Sequence, residues 1–237
     1  MAFFCYSSPH KKTQDLLLRL CLTGYRPLVA IGAPRRVHAE SFIRTRPRHV
    51  DLIPPRDLCS SLGIHYFEVE RHGVEIIPFL MDSQIELGVI GSARILPGEL
   101  VNCIPRGIIN LHPGMLPQMR GLDVMEWAIY EDFPLGVTAH IIDERIDAGR
   151  LLIQSVIHEF PDDSLLDLSI RLNETQTSMV VEAVKTALST SRAELPMLTS
   201  NTPVHGRMPD NLAKRVPSLL ARRLSRLSAS HAWLAEF

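Results

Sequence analysis

The chain has 237 residues, 46% of them hydrophobic, and its 25 lysines and arginines nearly cancel its 26 aspartates and glutamates. A chain of this length and apolar content can bury a full core, which predicts one domain, or one domain with an appendage. Because the net charge is near zero, the overall charge gives no reason to expect a nucleic-acid or an acidic partner.

The four cysteines are widely spread, without a Cys-x-x-Cys pair or histidines at zinc spacing. No apolar run approaches the length that a membrane span needs, and the first residues do not resemble a secretion signal. We therefore expect a reduced, cytoplasmic protein without a metal site or a membrane partner.

The first part of the chain predicts a strand, a helix and a second strand. Residues 2–7 and 28–33 are short apolar runs, and residues 13–22 carry leucines at helical spacing. Two strands joined by a helix predict a βαβ unit with parallel strands. The turn at residues 6–10, Tyr-Ser-Ser-Pro-His, lacks the glycines of a dinucleotide or ATP loop, so we expect no such site in this half.

Residues 35–48 are rich in arginine, and we favour a solvated loop there over a segment that binds a phosphorylated substrate. A short helix from residue 54, a strand at 64–67, a helix at 74–81 that is interrupted or bent at Pro78, and a strand at 85–90 follow. This alternation predicts an α/β fold, a mostly parallel sheet with helices on both faces.

The segment from Asn110 to Gly121 reads Asn-Leu-His-Pro-Gly-Met-Leu-Pro-Gln-Met-Arg-Gly. In an extended strand Asn110 and His112 point to the same face, and Pro113 then ends the strand. Open α/β sheets commonly place their sites where a strand runs into a loop. For an isolated Asn-x-His pair, polar residues that merely cap a strand end are the more frequent explanation.

The remaining elements continue to the C-terminus. We expect a helix at 123–130, strands at 135–142 and 151–157 joined as a hairpin by an acidic turn, and a long helix at 165–188. Residues 209–227 form a basic amphipathic stretch, for which a solvated helix is favoured over a binding surface. The expected organisation is a catalytic domain at 1–190 and a C-terminal helical extension at 191–237, with a homodimer contact left open.

Several segments together resemble the folate-dependent formyltransferases, the family of glycinamide ribonucleotide transformylase, methionyl-tRNA formyltransferase and the sugar N-formyltransferases. Residues 110–117 and the following Arg-Gly resemble the family's Asn-x-His-Pro-Ser-Leu-Leu-Pro stretch. Residues 136–140, Gly-Val-Thr-Ala-His, and 147–149, Asp-Ala-Gly, resemble its Gly-Val-Thr-x-His and Asp-x-Gly elements. Residues 93–96 resemble the folate-contacting loop of the transformylases. Gly114 departs from the common serine, which would loosen the cofactor loop.

The resemblance implies a Rossmann-like fold and transfer of a formyl group from N10-formyltetrahydrofolate to a primary amine. By resemblance, the catalytic residues are Asn110, His112 and Asp147. Asn110 and a protonated His112 would donate to the developing oxyanion, while Asp147 would raise the pKa of His112 or accept the proton of the amine. Thr138 and His140 would lie behind these three residues. They would either orient Asp147 or a water, or only pack as a hydrogen-bonded pair. The expected cofactor contacts are Ala93, Arg94, Ile95, Leu96, Gly114, Met115, Leu116, Pro117 and Asp143.

The acceptor amine is inferred by elimination within the family. A methionyl-tRNA formyltransferase would need a sizeable C-terminal RNA domain, the ribonucleotide transformylase holds phosphate with a glycine-rich first loop, and a formyltetrahydrofolate hydrolase adds an N-terminal regulatory domain. The remaining expectation is the amino group of a nucleotide-linked amino deoxysugar. Glycinamide ribonucleotide, aminoacyl-tRNA and a catalytically silent binding module are the alternatives, and a nucleic-acid partner is not favoured.

Overall fold

The structure, a computed structural model, describes residues 1–35, 47–199 and 202–231, with side chains through residue 226. The strands are β1 (Ala2–Tyr6), β2 (Val29–Ala33), β3 (His65–Glu68), β4 (Gly88–Ile90), β5 (Ile108–His112), β6 (Gly136–Ile142), β7 (Gly149–Val156) and β8 (Met197–Leu198). The helices are α1 (Lys11–Leu22), α2 (Pro55–Ser61), a 3₁₀ turn (Val74–Ile76), α3 (Ile77–Asp82), α4 (Gly98–Cys103), α5 (Val124–Tyr130), α6 (Leu165–Ser189), α7 (Asp210–Ala213) and α8 (Val216–His231).

The eight strands form one mixed sheet in the order β3-β2-β1-β4-β5-β6-β7-β8. Strands β1 to β5 are parallel, because each connects to the next through a helix-containing crossover. Strands β6, β7 and β8 add antiparallel pairs, and β6 with β7 is the expected hairpin. The predicted α/β, Rossmann-like fold with a mostly parallel sheet is therefore confirmed.

Apolar side chains of successive strand residues go to opposite faces of the sheet. In β1, Phe3 and Cys5 enter the larger core cluster, which contains the apolar stripes of α1 and α6. Phe4 enters a second cluster with residues of α3 and α4 on the other face. Helices thus cover both faces, as the sequence predicts.

Two local elements differ from the sequence prediction. The helix expected at residues 74–81, interrupted or bent at Pro78, is a 3₁₀ turn followed by α3, so the change of helix type falls before Pro78, which lies in the first turn of α3. A proline fits there because its missing N–H has no intrahelical partner at that position. Helix α4 and strand β8 were not predicted, since six and two residues are too few to show a hydrophobic period.

The C-terminal extension contains two helices, where one continuous amphipathic stretch was expected. Ala213, Val216, Leu220 and Leu224 are buried in the larger core cluster, so α8 packs on the domain through its apolar side. Within the described ranges, no helix is both long and apolar enough to cross a membrane. Of the arginine-rich segment, residues 36–46 lie outside the described residues, and Arg35 stacks over the ring of Tyr6 at 5.9 Å.

Candidate active site

The predicted polar pair lies on one face at the carboxyl end of β5. Ile109 and Leu111 point into the larger core cluster, so Asn110 and His112 face the opposite side of the sheet. The antiparallel register with β6 places His140 opposite Asn110 and Thr138 opposite His112. Residues directly opposite in such a pair share a face, so the four polar side chains meet there.

The amide of Asn110 is oriented by His140. The Nδ1 atom of His140 lies 3.0 Å from the carbonyl oxygen of Ala148, which can only accept, so Nδ1 carries the proton. The other ring nitrogen, Nε2, accepts from the Asn110 amide nitrogen at 3.3 Å. Burial lowers the pKa of His140 to about 4, which keeps this ring neutral at pH 7. His140 therefore orients Asn110. The sequence had suggested that it would orient Asp147 or a water instead.

Thr138 holds the loop that follows β5. Its hydroxyl donates to the carbonyl of Gly114 at 2.8 Å and accepts from the backbone N–H of Leu116 at 3.0 Å. A Cβ at position 114 would lie 2.9 Å from Nε2 of His112 and 2.8 Å from the carbonyl oxygen of Met119. The glycine therefore lets this loop close against His112, which corrects the expectation that it loosens the loop.

His112 is buried, with its side chain 5% exposed, and both ring nitrogens face oxygen atoms. Nε2 donates to the carbonyl of Met119 at 2.7 Å, so only Nδ1 is left to face the site. Nδ1 lies 3.4 Å from Oδ1 of Asp147. The second carboxylate oxygen of Asp147 accepts the backbone N–H of Gly121 at 2.8 Å, which fixes the carboxylate beside the imidazole.

The pKa of His112 is lowered, whereas the neighbouring Asp147 predicted a raised pKa. Burial is the largest cause, and the nearby ammonium of Lys12 lowers the pKa further. The carboxylate of Asp147 and the hydrogen bond to Met119 act in the opposite direction but do not outweigh burial. The imidazole of the free protein is thus uncharged at neutral pH.

Lys12 and residues 202–208 also contribute to this site, although no sequence pattern predicted a role for either. Lys12, in the first turn of α1, donates from Nζ to the carbonyl of Leu111 at 2.7 Å. Residues 202–208 lie along residues 117–123, and the backbones of Gly121 and His205 form a parallel bridge. Because Met119 and Gly121 hold His112 and Asp147, residues 202–208 support the arrangement of these two side chains from outside.

Residues 202–208 are attached to the neighbouring segment by hydrogen bonds that include the following four. The backbone N–H of His205 donates to Arg120, and the N–H of Leu122 donates back to the carbonyl of His205. The indole of Trp127 donates to the carbonyl of Gly206 at 2.9 Å, and the N–H of Met208 donates to the side chain of Asp123 at 2.9 Å. The sequence has no signal for these contacts, because the partners are about 80 residues apart.

The predicted cofactor contacts fall into three groups in the structure. Leu96 and Leu116 are buried core residues, so each can contribute only backbone groups. Arg94 and Asp143 already have partners: a guanidinium N–H of Arg94 donates to the carbonyl of Pro34, and the carboxylate of Asp143 pairs with Arg145. The positions that keep accessible atoms near the strand end are Ala93, Ile95, Met115 and Pro117, whereas Gly114 is buried against His112 and Met119.

The loop after β4 has features that suit a planar heterocycle. Within the described part of the chain, the backbone N–H groups of residues 94–96 donate to no partner. The side chain of Ile95 is 77% exposed in the same loop, and that of Ile146 is 44% exposed in the turn between β6 and β7. Unpaired peptide groups beside an exposed apolar side chain such as Ile95 can bind a planar heterocycle. The described residues contain no group of three or more His, Cys, Asp or Glu that could hold a metal ion.

This fold and site define a class of protein. Residues 67–184 match the family described as formyl transferase, and the chain belongs to this family. It is 34% identical over 124 residues to a methionyl-tRNA formyltransferase of Desulfotalea psychrophila, covering 48% of this chain and 38% of the relative. It is 29% identical over 171 residues to that of Chlorobium chlorochromatii, covering 70% and 50%. The chain thus spans half or less of these relatives.

Solved structures share the fold at low sequence identity. Glycinamide ribonucleotide transformylase 1 from Symbiobacterium toebii aligns with a TM-score of 0.62 at 18% identity, covering 84% of this chain and 93% of the other. A sugar N-formyltransferase from Shewanella sp. FDAARGOS_354 aligns with a TM-score of 0.61 at 19% identity, covering 92% and 87%. PseJ from Anoxybacillus kamchatkensis, solved with a formamido sugar nucleotide and tetrahydrofolate, aligns at 0.56 and 17% identity, covering 94% and 100%.

Proposed function

We propose that the protein transfers a formyl group from N10-formyltetrahydrofolate to a primary amine. The observation that carries the proposal is the convergence of Asn110, His112 and Asp147 at one strand end, with each side chain held by a specific partner. Acyl transfer needs a donor for the developing oxyanion and a group that moves the proton of the amine. These three side chains supply both functions without a metal.

Asn110 is the proposed oxyanion donor. Its amide has two N–H bonds, and His140 takes one of them, which orients the other. A preorganised donor of this kind costs no reorganisation when charge develops on the formyl oxygen, and its loss typically lowers kcat by about 100- to 1,000-fold.

His112 and Asp147 are the proposed proton-handling pair. With Nε2 bound to Met119, the uncharged imidazole presents the lone pair of Nδ1, which can accept the proton of the attacking amine. The resulting imidazolium lies beside the carboxylate of Asp147, at 3.4 Å, and is stabilised by it. The same Nδ1–H can then return the proton to the departing folate nitrogen, so the ring serves as base and then as acid.

The residues around the site fit the folate donor. N10-formyltetrahydrofolate supplies the formyl group, and the unpaired peptide groups of residues 94–96 would bind the polar edge of its pterin. The exposed side chains of Ile95 and Ile146 would cover the ring faces. The backbone of the Gly114 loop, held by Thr138, would complete the site next to Asn110.

A nucleotide-linked amino sugar is the acceptor that we favour. Three of the four arginines in the basic C-terminal stretch are occupied: Arg223 pairs with Glu159, Arg226 pairs with Asp132, and Arg215 stacks on Tyr130. An RNA surface would need such charges to be available for phosphates. A small acceptor is therefore supported over an aminoacyl-tRNA.

A second candidate acceptor comes from the sequence relatives. The curated proteins with 34% identity are named methionyl-tRNA formyltransferases, which supports aminoacyl-tRNA as the alternative. Glycinamide ribonucleotide is a third amine, and a binding module without turnover is the non-enzymatic alternative.

The test is a panel assay that follows release of tetrahydrofolate. The protein is incubated with N10-formyltetrahydrofolate and, separately, dTDP-, GDP- and UDP-linked amino sugars, glycinamide ribonucleotide and charged initiator tRNA. Turnover with a sugar nucleotide alone supports the proposal, and turnover only with another amine refutes the sugar acceptor. Absence of turnover with every amine refutes the enzyme proposal and favours the binding module.

Two variants tie any turnover to the site. Asp147→Asn and His112→Asn should abolish it while the protein stays folded, because asparagine tolerates the left-handed backbone of position 147, where φ is 45°. Asp51→Asn is the matched control, since Asp51 also has a left-handed backbone, with φ of 56°, in an exposed loop. Full turnover in either site variant would refute the mechanism.

A further inference from the structure

Lys12 brings a charge from the first helix into the proposed site. It lies in the first turn of α1, 99 positions before Leu111, and its Nζ donates to the Leu111 carbonyl at 2.7 Å. Its side chain is partly buried. Leu111 is the residue between Asn110 and His112, so Lys12 binds the peptide that joins the two proposed catalytic positions.

Sheet topology explains why this carbonyl is open to a side chain. Pairing between β4 and β5 ends at Val89 and Ile109, so no described strand continues along that edge of β5. The Leu111 carbonyl therefore lacks a strand partner there, and a buried carbonyl without a partner is costly. The Lys12 ammonium supplies the missing donor. Of its three N–H bonds, only this one is used within the described part of the chain.

The ammonium of Lys12 also interacts electrostatically with Asp147 and His112. Burial lowers the pKa of Lys12 to about 8, and Asp147 opposes that shift. In turn, Lys12 lowers the pKa of His112. The neighbouring Lys11 does not share this environment, because it pairs with Asp15 on its own helix at 2.5 Å.

We infer that Lys12 is a positioning residue of the proposed formyl-transfer site. Its ammonium holds the Leu111 peptide, and so the spacing of Asn110 and His112, and it places a positive charge opposite Asp147. The inference rests on the proposed function for its effect on turnover, but the effect on His112 is a property of the free protein. Lys12 acts through these neighbours and needs no contact with substrate.

The test compares Lys12→Met with Lys11→Met, which removes the adjacent lysine without touching the site. In the free protein, the His112 ring is titrated by ¹⁵N NMR, with its signals assigned by their loss in His112→Asn. Lys12→Met should raise the pKa of His112, because a nearby cation is removed, and Lys11→Met should leave it unchanged. Lys12→Gln keeps a donor for the Leu111 carbonyl without the charge, and it should raise the same pKa even if the methionine variant does not fold.

Turnover provides the second readout. In Lys12→Met, kcat should fall roughly 10- to 100-fold with little change in KM, as expected when reacting groups are displaced by about 1 Å. The wild-type kcat should decline above a pH of about 8, where Lys12 loses its proton, and this decline should be absent in both Lys12 variants.

The outcomes separate the inference from the proposed function. If the wild type transfers formyl groups but the Lys12 variants match Lys11→Met in turnover and in the His112 titration, the inference is wrong and the proposed function stands. If the wild type is inactive with every amine, the proposed function fails and the NMR titration alone decides the relationship between Lys12 and His112. An unchanged His112 pKa in Lys12→Gln overturns the inference in either case.

Discussion

The side-chain amide of Asn110 and the ring of His140 form a hydrogen bond of 3.3 Å between opposite positions of two antiparallel strands. The contact has a direction, because the carbonyl of Ala148 takes the only proton of a neutral His140 ring. The amide must therefore present its nitrogen to the ring. The buried, uncharged ring of His140 thus determines which end of the Asn110 amide faces the proposed site of formyl transfer.

Replacing His140 with phenylalanine should impair turnover while leaving Asn110 in place. The ring fills a similar volume but cannot accept, so the amide is free to rotate and its donor is no longer preorganised. We expect kcat to fall by roughly 10- to 100-fold, the range seen when partners that orient a reactive side chain are removed. Steady-state kinetics with the acceptor found in the panel measure the effect. His158→Phe is the control, since His158 is exposed and its ring meets that of Phe160 edge-on, and an equal loss there would contradict the prediction.

The neutral state of His140 should make the protein less stable in mild acid. Its pKa falls from 6.5 in the unfolded chain to about 4 in the folded protein, so between these values the unfolded chain binds more protons. The contribution of the neutral His140 ring to the free energy of unfolding is complete above pH 6.5. It is lost as the pH falls to about 4, which lowers the free energy of unfolding by up to about 3 kcal/mol. Urea unfolding of the wild type and His140→Gln at several pH values measures it. The difference in unfolding free energy should shrink toward pH 4, and a constant difference would refute the assignment.

The convergence of the proposed catalytic side chains Asn110 and His112 on one face could be predicted from sequence, because its signals are local. Asn110 and His112 are one strand period apart, and Pro113 marks the end of that strand. Lys12 could not be predicted in the same way, since its contact with Leu111 depends on where β4 stops, which is a property of the assembled sheet. The sign of the His112 pKa shift was also inaccessible, because burial outweighs the one charge, Asp147, that the motif reveals.

The bridge between Gly121 and His205 should be sensitive to a single methyl group. At Gly121, φ is +106° and a Cβ would lie 2.0 Å from the carbonyl oxygen of His205. At Gly24, φ is +85° but nothing lies within 4 Å, so Gly24→Ala measures backbone strain alone. We expect Gly24→Ala to cost about 1 kcal/mol and Gly121→Ala about 3 kcal/mol in unfolding free energy. Gly121→Ala should also lower turnover, because Gly121 holds Asp147. Equal costs in urea unfolding would show that the bridge contributes no steric constraint.

The two arginines that attach α8 to the domain should contribute unequally to stability. Arg223 is 14% exposed and pairs with Glu159, which is 12% exposed, and it also donates to the carbonyl of Phe133 at 2.8 Å. Arg226 and Asp132 are both more than half exposed. Removing one partner of a buried pair leaves an uncompensated charge, so Arg223→Met should cost about 3 kcal/mol. Arg226→Met should cost less than about 1 kcal/mol, because water screens that pair. Urea unfolding measures both variants, and a reversed order would mean that α8 is held by its apolar contacts and not by the buried ion pair.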